Sequence, residues 1–465
     1  MSFVRRWLLI TVLGFSGGII FLLPFLFEVF YTPLGSALGL SHTELGGLVS
    51  IFGFFSMIFY FPGGWLADRF SPRKMITASL FGTGLAGLYF STFPSYRVSL
   101  AIHAFWGVCI TLLFWAAMIR LVRNSAPADQ QGRAFGTLEF VRGIAEGLTS
   151  TGLLIAFAWL GSSNQALSTV VVQLSWVTIA LGAIAWFVIE DMSRDESESS
   201  ADHKIGWQDV LAVLKMPVIW LIIIVVMTAY CAYWSSYSIN PYATDVVLTT
   251  VAFAGAISVA RMWLKPVSGF VAGFVADRFG VAISTTVLFA MLVVSFLGLA
   301  VLSGNLPGFY VMLGFMAVAA IAIFALRGIY FALLEEGNVP LAVTGTAGGV
   351  ISAIAFTPDV FMPLLSGALR DAYPGADGYR YLFLSTAGMC TAGLIASLTI
   401  YSSTSGRRRR FQHEQWKASG GLSMRERAKA KIDEVLSAEP RHVLPPDIEQ
   451  RIRTITDGVA AARMK

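Results

Sequence analysis

Apolar residues run through this chain in long blocks and rarely alternate with polar ones. Twelve blocks follow one another, at 7–30, 44–67, 74–93, 97–120, 133–160, 168–189, 217–240, 249–275, 281–303, 308–334, 343–368 and 380–402. A helix of about 20 such residues crosses the hydrocarbon core of a bilayer. Helices satisfy their own backbone hydrogen bonds there. The pattern therefore predicts an all-α membrane protein with twelve transmembrane helices. The first block follows Arg5 and Arg6, is too long for a signal-peptide core, and has no small-residue cleavage site close behind it. An uncleaved first span is expected.

The polar stretches between blocks are short, with one exception. Residues 190–216 open with "EDMSRDESESSADHK", an acidic, Ser-rich run that reads as a flexible linker. "GWQDVLAVLK" behind it suits a short interfacial helix. The linker divides the chain into six spans (1–189) and six spans (217–402), followed by a tail (403–465). Arg5, Arg6, Arg69, Arg73, Lys74, Arg123, Arg133, Arg194, Lys204, Arg278 and the arginines at 407–410 fall on one side of the predicted membrane. Arg97, Arg370 and Arg380 fall on the other. The excess places both termini in the cytoplasm.

Composition agrees. The 465 residues are 56% hydrophobic and 13% charged, against about 25% charged in soluble domains. The net charge of +5 belongs to the tail, which holds 14 Lys/Arg against 8 Asp/Glu, whereas the first 402 residues hold 19 against 20. It says little about a substrate. Cys109, Cys231 and Cys390 sit singly in apolar runs, so neither a zinc site nor a disulfide framework is expected.

"GGWLADRFSPRK" joins spans 2 and 3, and "AGFVADRFG" joins spans 8 and 9. Placing Gly64 on Gly273 puts Asp68 on Asp277 and Arg69 on Arg278. One G-x-x-A-D-R-F motif thus recurs at the same point of each half, which a positive-inside turn alone does not explain. Residues 64–74 resemble the signature loop G-x-L-A-D-R-x-G-x-R-K of the major facilitator superfamily, with Ser71 at a usual glycine. The second copy lacks basic residues after Gly280. The resemblance extends in organisation over 1–402. It implies two pseudo-symmetric six-helix bundles around a central cavity, working by alternating access. Gly64, Asp68, Arg69, Arg73, Gly273, Asp277 and Arg278 are then the conformational-switch residues, with glycine allowing close helix approach. "RGIYFALLEEGNVP" and "TGTAGGVISAIAFTPDVFMPLLSG" resemble a bacterial branch related to organic-anion and sugar-phosphate permeases.

Charges inside the spans carry the candidate chemistry, because each costs a few kcal/mol to insert. Glu139, Arg142 and Glu146 are spaced three and four apart, on one helix face. They either neutralise one another or meet Arg261 and Lys265 of span 8, which the family fold sets opposite span 5. By depth, Arg261 matches Glu146, and Lys265 matches Arg142 and Glu139. Adding Arg327 and Asp359 gives four cations against three carboxylates, a surplus suited to an anion. Arg142, Arg261 and Lys265 are the expected substrate contacts, since guanidinium and ammonium groups bind carboxylate, phosphate or sulfonate. Glu139, Glu146 and Asp359 are the expected proton carriers. Asp359 follows Pro358, so a kink or an interbundle salt bridge is open there. Tyr230 and Tyr233 of the span 7 aromatic stripe join the substrate contacts. His103 is expected to pack, and Arg120 and Arg327 to snorkel or function.

No Walker A loop, catalytic triad or metal constellation occurs, so neither an enzyme, a cofactor nor a metal is expected. The basic tail lacks a nucleic-acid platform. It predicts a lipid-binding anchor and two short helices. The sequence thus predicts a monomeric secondary transporter of a small anionic organic solute, coupled to H⁺ and embedded in lipid. A polyspecific drug or metabolite exporter, and a transporter-like sensor signalling through its tail, are the alternatives.

Overall fold

The computed structural model describes residues 3–125, 131–190, 207–304, 306–339 and 344–418. Most of the linker and the expected tail helices lie outside the described residues, as does the side chain of Asp68. Two compact units divide the chain, Met1–Ser402 and Ser403–Lys465. Of the second, only the end of a helix is described.

The N-terminal half contains α1 (Phe3–Ile19), α2 (Phe27–Leu38), α3 (His42–Arg69), α4 (Pro72–Phe90), α5 (Tyr96–Val108), α6 (Ala116–Ser125), α7 (Gln131–Trp159) and α8 (Asn164–Val188). α9 (Trp207–Leu214) follows, where the interfacial helix was expected. The C-terminal half contains α10 (Pro217–Ser236), α11 (Ile239–Asp245), α12 (Val251–Phe279), α13 (Val281–Leu302), α14 (Phe309–Ile329), α15 (Leu333–Glu336), α16 (Thr344–Ala355), α17 (Pro358–Ala372) and α18 (Ala376–Ala418). Among the described residues nine helices are long and apolar enough to cross a membrane. The remaining expected spans are α1/α2, α4 and α12. The first is interrupted, and α12 carries Arg261 and Lys265 in its middle.

Four spans are not the continuous rods the hydropathy predicts. Turns at 20–26, around Pro24, separate α1 from α2. A π-helical stretch, Cys109–Trp115, joins α5 to α6. α10 gives way to α11 at Tyr237 and Ser238, and α16 to α17 at Phe356 and Thr357. Proline explains the last break. Pro358 lacks an N–H and suits the first turn of a new helix, so α17 starts there. Conversely, α18 continues as helix past 402, through the arginines at 407–410 to Ala418.

The C-terminal half buries an apolar core of its own, whereas the core of the N-terminal half also takes in Trp234, Val259 and Met262 of the other half. The N-terminal core is built around Leu80, Trp106, Phe114 and Phe157, the C-terminal one around Phe289, Phe296, Tyr242 and Phe383. The halves meet along two seams, α3 against α17 and α7 against α12. The 209-residue offset that superposes the two motifs also relates α3 to α12, so each seam is the other's pseudo-symmetric counterpart.

Candidate translocation site

The charges of α7 and α12 do meet, but one turn out of the expected register. Lys265 Nζ donates to Glu146 Oε2 at 2.8 Å, not to Glu139 or Arg142. Arg142 Nη1 stays on its own helix, 2.5 Å from Glu139 Oε1, with its guanidinium 5.0 Å from the Trp115 ring centroid. Arg261 does not pair with Glu146. Its Nη2 bonds Glu28 Oε1, and its Nη1 donates to Ser236 Oγ at 2.9 Å. The Tyr237 ring covers the same guanidinium at 4.2 Å. Both partners are buried, with side chains 4% and 7% exposed.

Glu28 is the functional candidate that sequence reasoning missed. It lies in α2 just past the break, inside an otherwise apolar run. An ionisable residue within a span is by itself a signal of function. Counting it brings the site charges named so far to four cations and four carboxylates, so the surplus among them disappears. Glu28 also feels Glu146 and Lys265, which makes the two ion pairs a four-charge cluster between the halves.

Two groups stay outside these pairs. Arg327, half-buried near the end of α14, has no carboxylate within 4 Å among the described residues. Its guanidinium instead lies 4.3 Å from the Tyr233 ring and 4.9 Å from that of Tyr230. Snorkelling does not describe this placement. Asp359, at the start of α17, accepts a 2.7 Å bond from Trp234 Nε1 of its own half and forms no interbundle salt bridge. Arg142, Arg327 and Asp359 all lie within electrostatic reach of the Tyr60 hydroxyl on α3. Tyr237 donates to Tyr233 at 2.5 Å, and Tyr230 packs on Phe356, so the tyrosines of α10 form a continuous aromatic wall.

At one end of that wall the halves are shut. Phe25 and Phe27 stack on Trp234. Asn240 Nδ2 donates to Val29 O at 3.0 Å and to Ser258 Oγ at 2.9 Å. Asp371 of α17 caps α3, accepting from Thr43 N at 2.7 Å and His42 N at 3.2 Å. This end lies opposite the two A-D-R-F corners.

The corners themselves revise one expectation. A Cβ on Gly64 or Gly273 would meet nothing within 4 Å, so neither glycine serves close helix packing. Gly63 does, against Thr111 O. Arg69 stacks on Trp65 at 3.9 Å, and Arg73 covers Trp186 at 4.0 Å. Asp277 and Arg278 are exposed. Ser71 replaces the signature glycine without strain, because its side chain caps α4 by accepting from Lys74 N. Arg120 reaches across to Ala67 O in the first corner. His103 is buried against Phe90 and Trp106 and bonds Ser99 O at 2.8 Å, a packing role.

Twelve helical spans in two halves, with an ion pair across the α7–α12 seam, have the build of a membrane transporter. The chain belongs to the Major Facilitator Superfamily, whose family model matches residues 7–356. It is therefore a secondary transporter and not an enzyme. Among curated relatives, inner membrane protein YqcE of Escherichia coli K12 is 31% identical over 85% of this chain and 94% of its own length. Inner membrane protein YihN of the same organism is 28% identical over 87% and 97%. Among solved structures, an inward-facing, unoccupied bacterial homologue of the human lysosomal transporter Spinster aligns with TM-score 0.70 at 15% identity, covering 87% of this chain and 99% of that one. Nucleoside transporter NupG aligns at TM-score 0.65 and 13% identity, over 86% and 99%.

Proposed function

We propose that this transporter moves a small organic anion, with a proton as coupling ion, across the inner membrane. Arg327 carries the reading. It is a half-buried cation of α14 with no carboxylate within salt-bridge distance among the described residues, flanked by Tyr230 and Tyr233. A carboxylate, phosphate or sulfonate would bind its guanidinium through paired donors, while the rings hold the organic part.

Arg261 and Lys265 act by exchanging partners. An anion reaching Arg261 displaces Glu28, and one reaching Lys265 displaces Glu146. A carboxylate left without its cation in a water-poor site takes up a proton. Proton and anion then travel together. Glu28 and Glu146 fit this role better than Glu139, which is exposed and paired on its own helix. Asp359 remains a further proton carrier. With both termini cytoplasmic, the shut end faces outward and the A-D-R-F corners face inward. The protein works as a monomer in lipid.

A second reading rests on the neutral balance of the eight charges. A neutral polar solute would leave every ion pair intact and bind the tyrosine wall alone.

Thermal-shift measurements on purified protein separate the two. The ligands are carboxylates, sugar phosphates, sulfonates, neutral sugars, nucleosides and lipophilic cations, at two pH values. A ligand that binds the folded state raises Tm. Stabilisation by one anion class, stronger at the lower pH and lost in Arg327→Gln, is the expected result. Stabilisation by neutral solutes alone, indifferent to that substitution, overturns the anion reading.

A further inference from the structure

Arg370 sits in the last turn of α17 and is buried, with only 7% of its surface exposed. The hydropathy pattern ends the eleventh span at 368 and so predicts Arg370 on the outer side of the membrane. No carboxylate lies within 4 Å of it among the described residues. The nearby carboxylates are engaged elsewhere. Asp371 caps α3, and Asp245 accepts from the Tyr379 hydroxyl at 2.6 Å and faces His42 Nε2 at 3.7 Å. Arg370 Nε donates to Ser366 O at 2.9 Å and Nη2 to Ser366 Oγ at 3.2 Å. Its Nη1 is buried and makes no hydrogen bond of ordinary length, although the Tyr31 and Tyr379 hydroxyls and Asp245 act electrostatically on the guanidinium. A buried charged donor without an acceptor is costly.

That guanidinium lines a pocket together with Phe27, Tyr31, Trp234, Tyr237 and Ser366. Its charge centre is 4.7 Å from the Tyr31 ring. Trp234 also bonds Asp359, so the pocket begins where the central space ends. Arg370 is eleven residues along α17 from Asp359, about 16 Å at the helical rise. The pocket is thus a separate chamber at the shut end.

We propose that this pocket is a second anion site, in which Arg370 holds a carboxylate or phosphate group on the far side of the aromatic layer from Arg327. The group belongs either to a small free anion or to the acid end of a ring-bearing solute held against Phe27, Trp234 and Tyr237. The assignment stands on the Arg370 pocket alone and does not require Arg327 to bind anything. An anion there offers acceptors to Nη1 and balances a charge no carboxylate pairs with. It gives the solute a docking point at the gate before entry or after release.

Isothermal titration calorimetry on the purified full chain at constant ionic strength tests the site. The probes are inorganic phosphate, acetate, phenyl phosphate and benzoate. Arg370→Gln should weaken binding at least tenfold, and Arg327→Gln should leave that component in place. Ser366→Asp gives Arg370 an internal carboxylate, which keeps the buried charge paired if the neutral variant does not fold. It should abolish the same component. Phenyl phosphate and benzoate binding tenfold tighter than phosphate and acetate identifies a ring-bearing solute as the source. Equal affinities identify a free anion. The proposal is overturned if no probe binds the wild type, if Ser366→Asp binds like the wild type, or if binding is lost only in Arg327→Gln.

Discussion

The two seams between the halves are symmetry mates built from opposite materials. Along α3 and α17 the backbones touch. A Cβ on Gly46 would lie 2.3 Å from Pro363 O, one on Gly53 2.5 Å from Asp359 O, and one on Gly367 2.3 Å from His42 O. Along α7 and α12 the contacts are side chains: Glu146 with Lys265, and Trp263 Nε1 with Thr151 Oγ1 at 3.3 Å. There Gly143 keeps 3.8 Å from the Pro266 ring. Backbone against backbone packs in one arrangement, because neither side can give. Ion pairs can open, be rehydrated and re-form. The first seam is the steric closure of the shut end, and the second holds the charges that a solute can exchange.

The largest effect is therefore expected from a side chain placed in the first seam. Gly46→Val should remove closure at the His42 end and drop uptake in vesicles to background. Overpacking costs about 1–3 kcal/mol even where side chains can yield, and a carbonyl cannot. Gly143→Ala, at a glycine of the second seam where a Cβ would meet nothing closer than 3.8 Å, should transport normally. Normal uptake by Gly46→Val would show that the two seams do not differ in this way.

Next in size is the Glu28–Arg261 pair beside the second seam. Breaking a buried pair from one side leaves an unpaired charge, at about 3–5 kcal/mol. Arg261→Gln should lower Tm by many degrees, and Glu28→Gln/Arg261→Gln should recover most of the loss. A double variant no more stable than Arg261→Gln would mean that Glu28 is not the partner whose isolation matters. Glu146→Gln should cost less, because its pair with Lys265 is partly exposed, at 19% and 31%. About 1 kcal/mol is expected, nearer the range of surface pairs. Uptake driven by an acid exterior should nevertheless flatten in this variant if Glu146 carries a proton.

How much of this was legible follows from the range of each interaction. The A-D-R-F corners were legible because a motif repeated 209 residues apart is a property of sequence alone. The α7 stripe was legible because spacings of three and four lie on one helix face. Partner choice was not. Lys265 meets Glu146 and not Arg142 because of how far α12 slides along α7, and one turn of slide re-pairs every charge. Glu28 escaped because it has no charged neighbour at helical spacing, its partner lying 233 residues away. Gly64 looked like a packing glycine by its motif, yet what it faces is decided by a helix from elsewhere in the chain. Arg370 looked like a loop charge because α17 extends past the apolar block that marked its span.

The smallest effect is expected from Glu139, and it sharpens the comparison most finely. Its side chain is 55% exposed, and its partner Arg142 is one turn away on the same helix. An exposed i,i+3 pair contributes about 0.2–0.5 kcal/mol. Removing the carboxylate leaves Arg142 against the Trp115 ring, so the cation keeps a partner. Glu139→Gln should leave Tm within about a degree and uptake at its wild-type pH dependence, measured beside Glu146→Gln in the same vesicles. The two carboxylates sit two turns apart on one helix face and differ in exposure and in whether they reach a partner across the seam. A matching loss of pH dependence in both variants would mean that helix position, not the cross-seam partner, selects the proton carrier. Loss in Glu146→Gln alone would place coupling on the exchangeable pair with Lys265.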